Sequence, residues 1–145
     1  MENITAYITL VDQKMLAPKY QTKGSLAIDL YSRIDMEIPA KTIGFVPLNI
    51  IIKSPPEYGF FVLPRSSTPK KKNLLIPHGM GIIDHVFCGE QNEVTFECYN
   101  FSEKTVSVKK GERIAQGIFL KTAVCNIEIK KKVKKKSRGA FGSTG

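Results

Sequence analysis

The most informative segment of this chain is Gly79-Met80-Gly81-Ile82-Ile83-Asp84-His85-Val86-Phe87-Cys88-Gly89. Its closely spaced glycines allow the backbone to approach a ligand and to adopt unusual dihedral angles. Ile82 and Ile83 favour a strand, and the turn-forming residues around them predict a hairpin. Asp84 ends that strand, and Phe87 follows three residues later, which is typical of a small-molecule pocket. The competing interpretation is an ordinary hairpin whose acid caps a turn.

Length and composition indicate one domain with a packed core. The chain has 145 residues, enough to bury apolar side chains without disulfides or metals. No apolar run approaches membrane-spanning length, and the first residues do not resemble a signal peptide, so no membrane partner is expected. Cys88, Cys98 and Cys125 are odd in number and lack metal-ligand spacing. We therefore expect a reducing compartment, the cytoplasm or, for a eukaryotic or viral protein, the nucleus.

The net charge of +9 is concentrated at the end of the chain. Residues 1–127 contain 15 Lys and Arg against 12 Asp and Glu, a net +3, whereas residues 128–145 contain 7 against 1, a net +6. The lysine run at residues 130–136 is typical of a solvated segment, and it also resembles a phosphate-attracting or nuclear-import signal. Because the rest of the chain is nearly balanced, a nucleic-acid partner is not expected.

Short β-type segments separated by turn residues run through the whole chain. Strands are predicted at residues 5–11, 23–31, 42–53, 60–63, 94–98, 106–108, 113–119 and 124–129. No window shows a convincing helical period of adequate length. The predicted fold class is all-β, a jelly-roll-like β-barrel.

Five short segments carry residues that packing alone does not explain. In chain order they are AIDLYS (27–32), PRSS (64–67), the hairpin (79–89), GERIAQ (111–116) and RGAFGSTG (138–145). Their order and spacing resemble the homotrimeric dUTPase family over essentially the whole chain. The resemblance implies hydrolysis of dUTP to dUMP and pyrophosphate.

Phosphate chemistry can be assigned to side chains in these segments. Removing pyrophosphate from a nucleoside triphosphate needs an activated water and neutralisation of the phosphate charge. A single carboxylate suffices as the general base if it holds the water in line with the α-phosphorus, and the resemblance implies that this carboxylate is Asp84. Arginine suits phosphate oxygens because of its planar fork of donors. The predicted binding residues of the PRSS and GERIAQ segments are Arg65, Ser66, Ser67 and Gln116.

The metal and the C-terminal arm complete these expectations. Asp29 offers hard oxygen ligands, suited to orienting a water bound to Mg²⁺, the predicted cofactor. The glycine-rich end of the chain could surround an anion with backbone N–H groups and hydroxyls, and Phe141 offers a face for stacking on a base. The predicted binding residues of the arm are Lys136, Arg138, Phe141, Gly142, Ser143 and Thr144.

The resemblance also implies how the base and the sugar are recognised. Backbone groups around Gly79 and Gly81, with Ile83 beside them, would read the edge of uracil in a slot too narrow for the methyl group of thymine. Phe87 would pack under the deoxyribose and exclude a 2′-hydroxyl. Phe141 would close over the uracil.

The family's quaternary arrangement implies shared active sites. Its members are homotrimers in which the hairpin, the phosphate-binding segments and the arm of one site come from different subunits. For this chain the implied division is a β-barrel domain at residues 1–129, followed by a basic linker and the site-closing arm at residues 130–145.

Departures from the family pattern leave some roles open. His78 stands where many members carry an Asn that helps to read the base, and Phe87 stands where a Tyr is usual. Lys136 occupies the place of an arm arginine, so Lys136 and Arg138 are both candidates for the γ-phosphate.

Two alternative functions share these motifs. One alternative is deamination of dCTP, alone or as a dual activity with dUTP hydrolysis. The dCTP deaminase branch of the same fold uses a glutamate base, and Glu97 falls about where that glutamate lies; GERIAQ and the FGSTG end are instead hydrolase features. A regulatory protein that only senses dUTP would have no need of Asp84.

Overall fold

The computed structural model describes residues 4–132 and Gly139. Within them no helix has the length and apolar character needed to span a bilayer. The elements in chain order are β1 (Tyr7–Leu10), β2 (Ile28–Tyr31), β3 (Met36–Ile38), β4 (Ile43–Pro47), β5 (Ile50–Lys53), β6 (Tyr58–Pro64), α1 (Thr68–Lys72), β7 (Leu74–Leu75), β8 (Gly81–Ile83), β9 (Thr95–Asn100), β10 (Val106–Val108) and β11 (Arg113–Lys121).

The strands form two larger sheets and two additional strand pairs. One sheet has the order β2-β11-β6-β8 and the other the order β4-β9-β7, while β1 pairs with β5 and β3 with β10. All of these pairings are antiparallel, and most join strands that are distant in sequence. This crossing connectivity is typical of a jelly roll. The prediction of an all-β, jelly-roll-like fold is confirmed, with α1 as a five-residue helix in the described residues.

One apolar core joins the two sheets. In β9 the buried residues Phe96, Cys98 and Asn100 alternate with Glu97 and its outward-facing neighbours, as the period-2 pattern predicted. Phe60 of the other sheet belongs to the same buried cluster. Fully burying one such apolar side chain contributes about 1.5–3 kcal/mol to the free energy of unfolding.

A glycine of β11 lies where an aromatic ring of β6 crosses the strand. A Cβ atom at Gly117 would overlap the ring of Phe60, which packs on Phe119 with ring centroids 4.9 Å apart. Because Phe60 is fully buried, its ring has no free space to enter. We expect Gly117→Ala to lower the free energy of unfolding by about 1–3 kcal/mol, measured by urea unfolding.

The control for this substitution is the same change in a Phe60→Leu background, where the ring is absent. There Gly117→Ala should cost much less, because residues in contact have coupled effects on stability. An equal loss of stability in both backgrounds would contradict the steric explanation.

Three predicted strands differ from the structure. The strand predicted at residues 42–53 is divided into β4 and β5, with Asn49 at φ +63° between them. The strand predicted at residues 23–31 begins only at Ile28, because Gly24 has φ +90° and the N–H of Ser25 bonds to the carbonyl of Thr22 in a turn. The strand predicted at residues 124–129 is wrong for the described chain: β11 ends at Lys121 and the following residues form no strand. Their alternating pattern has no strand of the same chain to pair with, and a strand needs that partner.

Candidate active site

Asp29 lies between two arginines. Nε of Arg65, just after β6, donates to Oδ1 of Asp29 at 2.9 Å, and Nη1 of Arg113 on β11 donates to Oδ2 at 3.0 Å. The carboxylate is largely buried, with 11% of the side chain exposed, against 27% and 46% for the two arginines. Both carboxylate oxygens are therefore engaged, and each guanidinium uses only some of its five N–H donors on protein partners.

The central position of β11 explains why these side chains meet. β11 pairs with β2 on one side and with β6 on the other, so Gln116 lies opposite Asp29 and also opposite Leu63. Nε2 of Gln116 donates to the carbonyl oxygen of Pro64 at 3.0 Å, next to Arg65. A cleft of about 500 Å³ is lined by Asp29, Arg65, Arg113 and Gln116, together with Gln21, Ser25, Leu26 and Ala27. Three side chains predicted for phosphate and metal are thus brought together.

Arg113 is a site residue that the sequence patterns did not predict. In a regular strand Arg113 and Gln116 would point to opposite faces, because they are an odd number of positions apart. The register between β11 and β2 shifts between Arg113 and Ala115. A β-bulge of this kind changes the direction in which the following side chains point. As a result, Arg113 and Gln116 both border the same cleft. The only sequence signal was that Arg113 belongs to the GERIAQ segment.

The serines of the PRSS segment occupy the turn that leads into α1. The N–H of Thr68 bonds to the carbonyl of Arg65, and Ser67 precedes the helix without a capping bond from its own side chain. The buried hydroxyl of Thr68 donates to the carbonyl of Ile114 at 3.0 Å, which ties the turn to β11. Ser66 is exposed beside Arg65.

The predicted hairpin at residues 79–89 is a single short strand, β8, with turns on both sides: β8 pairs with β6, and the described residues that follow it up to Gly89 form no second strand. We keep the name hairpin for this segment. Gly79 has φ +88°, a region that favours glycine, and a Cβ atom at Gly81 would lie 3.2 Å from Cβ of Val62. Asp84 follows the last residue of β8 and is exposed. Its carbonyl accepts a bond from the N–H of Phe87, which closes a turn and leaves the Phe87 ring 40% exposed.

The hairpin and the arginine cluster lie at different ends of the same sheet. Ile83, just before Asp84, pairs with Phe60, while Arg65 follows Pro64 at the other end of β6. The distance along β6 from Phe60 to Pro64 is about 13–14 Å at the usual strand rise. Asp84 lies one residue beyond the Phe60 end, and Arg65 lies one residue beyond the Pro64 end. β8 and β2 are also opposite edges of the four-stranded sheet. A single chain therefore does not bring Asp84 and Asp29 into one cleft.

The cysteine of β9 carries no nucleophilic chemistry. Burial raises the pKa of the Cys98 thiol to about 12, so the thiol is protonated at neutral pH. Cys98 instead packs in the core and donates a weak bond to the carbonyl of Gly44. The predicted arm residues Lys136, Arg138, Phe141, Gly142, Ser143 and Thr144 lie outside the described residues.

The comparison with protein families decides which family this arrangement belongs to. A family model described as dUTPase matches residues 13–145. The chain belongs to the dUTPase family. It is therefore an enzyme of the dUTP nucleotidohydrolase class.

Individual dUTPases are similar to this chain in sequence, in fold or in both. The deoxyuridine 5′-triphosphate nucleotidohydrolase of Dictyoglomus turgidum is 36% identical over 148 residues, covering 98% of this chain and 99% of that protein. The crystal structure of dUTPase from Streptococcus mutans has a TM-score of 0.76 at 25% identity, covering 82% of this chain and 98% of that one. A mutant dUTPase from phage phi11 of S. aureus, described as coordinating a structural Mg(II) ion, has a TM-score of 0.79 at 14% identity and covers 90% and 99%.

Proposed function

We propose that this dUTPase converts dUTP to dUMP and pyrophosphate by attack of a water molecule on the α-phosphorus, with Asp84 as the general base. The observation that carries the proposal is the hairpin itself. It presents an exposed carboxylate directly after β8 and a half-exposed aromatic ring three residues later. An exposed carboxylate can accept a proton from a water that it holds by hydrogen bonding.

In the proposed reaction the water oxygen forms the new bond to the α-phosphorus as its proton moves to Asp84. The bond from the α-phosphorus to the bridging oxygen breaks, and pyrophosphate leaves with that oxygen and its electron pair. Asp84 contributes by positioning the water in line with the leaving group as well as by taking the proton.

The arginine cluster would hold the triphosphate. Arg65 and Arg113 place two cations beside one carboxylate, so their surroundings keep a net positive charge for an anionic ligand. Asp29 orients both guanidiniums before the ligand arrives, which lowers the cost of ordering them on binding. Gln116 and the exposed Ser66 add neutral donors at the same edge of the sheet.

Mg²⁺ would bind in this cleft mainly through the phosphates of the bound nucleotide. Among residues 4–132 no three His, Cys, Asp or Glu side chains converge as a metal site. Both oxygens of Asp29 bond to arginines, yet each oxygen has a second lone pair that could accept a bond from a metal-bound water. Mg²⁺ typically keeps several waters and binds substrate phosphates. When bound, it would neutralise phosphate charge, with Asp29 as its contact through water.

The hairpin would recognise the nucleoside and the arm would close over it. The backbone at Gly79 and Gly81 would face the uracil edge, with Ile83 beside it and Phe87 under the deoxyribose. From the arm, Phe141 would cover the base. The phosphate ligands proposed from the arm are Lys136 or Arg138 at the γ-phosphate, with Gly142, Ser143 and Thr144 around the anion.

A homotrimer would unite the separated parts of the site. The hairpin and the arginine cluster of one chain are too far apart to act on the same reacting phosphate, so each must be completed by another chain. Exposed apolar side chains are consistent with subunit contacts: Phe45 is 58% exposed, and Val124, Ile127 and Ile129 are 96%, 85% and 95% exposed.

A substrate panel tests the proposed reaction. dUTP, dTTP, UTP and dCTP are incubated with and without Mg²⁺, and release of pyrophosphate and of ammonia is measured. We expect pyrophosphate from dUTP, with slower reaction of the other nucleotides and stimulation by Mg²⁺. Ammonia from dCTP would instead indicate deaminase chemistry. Tight binding of dUTP without turnover would indicate a sensor.

Phe87→Ala tests sugar discrimination. With Phe87 under the deoxyribose, removing the ring should admit a 2′-hydroxyl and narrow the ratio of kcat/KM for dUTP over UTP. Binding of dUTP itself should weaken by about 1–3 kcal/mol through lost apolar contact. Steady-state kinetics on both nucleotides measure this, and an unchanged ratio would mean that sugar selection lies elsewhere.

A further inference from the structure

His78 connects the glycine turn before β8 to strand β9. Its Nδ1 lies 2.9 Å from the carbonyl oxygen of Met80, and its Nε2 lies 3.5 Å from Oε2 of Glu97. The contact forms because β7 pairs with β9, so the chain that leaves β7 still runs beside the outward face of β9 when it reaches His78. One imidazole ring therefore joins two segments that are distant in sequence.

The two contacts define where the ring carries hydrogen. A carbonyl oxygen only accepts hydrogen bonds, so Nδ1 of His78 must be the donor to Met80. Nε2 faces a carboxylate, and it interacts favourably with Glu97 only when it too carries a hydrogen. The side chains of His78 and Glu97 are 40% and 31% exposed, so solvent weakens their attraction. The pair is thus better suited to orienting the ring than to stabilising the fold.

The bond from His78 to Met80 spans Gly79. Gly79 has φ +88°, where the backbone is held in a turn that few other residues adopt. The chain then enters β8 at Gly81, which packs closely on Val62. Residues 79–81 are consequently fixed at one end by the sheet and at the other by the imidazole ring.

We propose that His78, anchored by Glu97, is a positioning residue that fixes the backbone of residues 79–81 for recognition of the uracil edge. This inference rests on the proposed function, because it assigns uracil to that backbone. Glu97 acts through His78 and does not itself take part in the chemistry. Without the bond to His78, the turn at Gly79 would have to become ordered whenever a ligand binds. The conformational entropy lost in that ordering would weaken binding.

Kinetics of four variants test the proposal. His78→Ala should raise KM for dUTP about fivefold, the size of one lost hydrogen bond between the ring and a backbone carbonyl, while kcat changes little. His78→Asn keeps a donor to the Met80 carbonyl but lacks the Nε2 atom that contacts Glu97, so its KM should match that of Glu97→Gln. A KM below that of the wild type would indicate direct reading of the base and would overturn the proposal. Glu97→Gln should raise KM by about threefold. The matched control is Glu103→Gln, which removes an exposed ion pair with Lys41 and should leave KM unchanged.

The double variant of His78→Ala with Glu97→Gln separates positioning from a direct role of Glu97. Its KM should equal that of His78→Ala alone, because Glu97 then has no ring to anchor. A further loss in the double variant, a fall in kcat with unchanged KM, or a wild-type KM for His78→Ala would each overturn the proposal. Circular dichroism melting curves would check that all variants fold.

A spectroscopic measurement is independent of turnover. The ¹⁵N chemical shifts of the His78 ring in the ligand-free protein should report a hydrogen on Nδ1. A neutral ring with its hydrogen on Nε2 would overturn the proposal. If the wild-type protein leaves dUTP intact, the proposed function fails together with this inference. If dUTP is hydrolysed and His78→Ala behaves as wild type, only this inference fails.

Discussion

Asp84→Asn is expected to lower the turnover of dUTP by about 10²–10⁴-fold while the protein remains folded and still binds the nucleotide. The two side chains are nearly isosteric, and the turn to Phe87 is closed by the backbone carbonyl of residue 84, which the substitution retains. The amide cannot accept the proton of the attacking water. Pyrophosphate release gives turnover, and calorimetry with a non-hydrolysable dUTP analogue gives affinity.

The matched control is Glu90→Gln, which neutralises another exposed acid in the chain that follows β8. It should hydrolyse dUTP at close to the wild-type rate. If Asp84→Asn also does so, the assignment of Asp84 as the general base is wrong.

A chain that ends at Ile129 is expected to fold and assemble as the full chain does but to lose activity by at least about 10²-fold. Every described strand ends by Lys121, so the truncation removes no strand and no core residue of the part of the chain that the structure describes. It removes Phe141 and the proposed phosphate ligands of the arm, and losing groups that position a substrate has effects of this size. Size-exclusion chromatography with light scattering and steady-state kinetics measure the two outcomes.

The control for the truncation keeps the arm but removes charge from the linker. A full-length chain with Lys130, Lys131 and Lys132 replaced by Gln should keep most activity at moderate salt. If that variant is as inactive as the truncated chain, the lysine run is responsible for the effect. A fully active truncated chain would exclude any role of Phe141 as a lid.

Local patterns made most of the fold predictable from sequence. Alternation in β9 placed Phe96 and Cys98 in the core, and Ile82 and Ile83 were correctly predicted to lie in a short strand, although that strand pairs with β6 and not within a hairpin. These features depend on side-chain periodicity and turn geometry, which are properties of a few consecutive residues.

Features that depend on partners distant in sequence were not predictable in this way. The bulge in β11 brings Arg113 beside Asp29, and the pairing of β7 with β9 brings His78 beside Glu97. Neither neighbour relation leaves a local sequence pattern. The strand predicted at residues 124–129 failed for a related reason, because alternation alone cannot supply the neighbouring strand that it requires.

Asp29 shows the same limit for a single functional residue. From sequence it was an isolated carboxylate suited to a magnesium-bound water. In the structure, each oxygen of the Asp29 carboxylate accepts a hydrogen bond from an arginine, Arg65 or Arg113. The carboxylate therefore orients the two guanidinium groups. A contact to metal-bound water stays a proposal, and it would use only the remaining lone pairs.

We propose that each dUTP site takes its hairpin and its arm from different chains in a fixed cyclic order. An Asp84→Asn chain with an intact arm and a chain that ends at Ile129 are unfolded together and refolded at equal ratio. About three quarters of the trimers should then be mixed, and one of three sites in each mixed trimer should be complete. The mixture is predicted to recover about a quarter of wild-type activity, from two parents that are each inactive. Recovery near zero from well-folded mixed trimers would contradict the shared site.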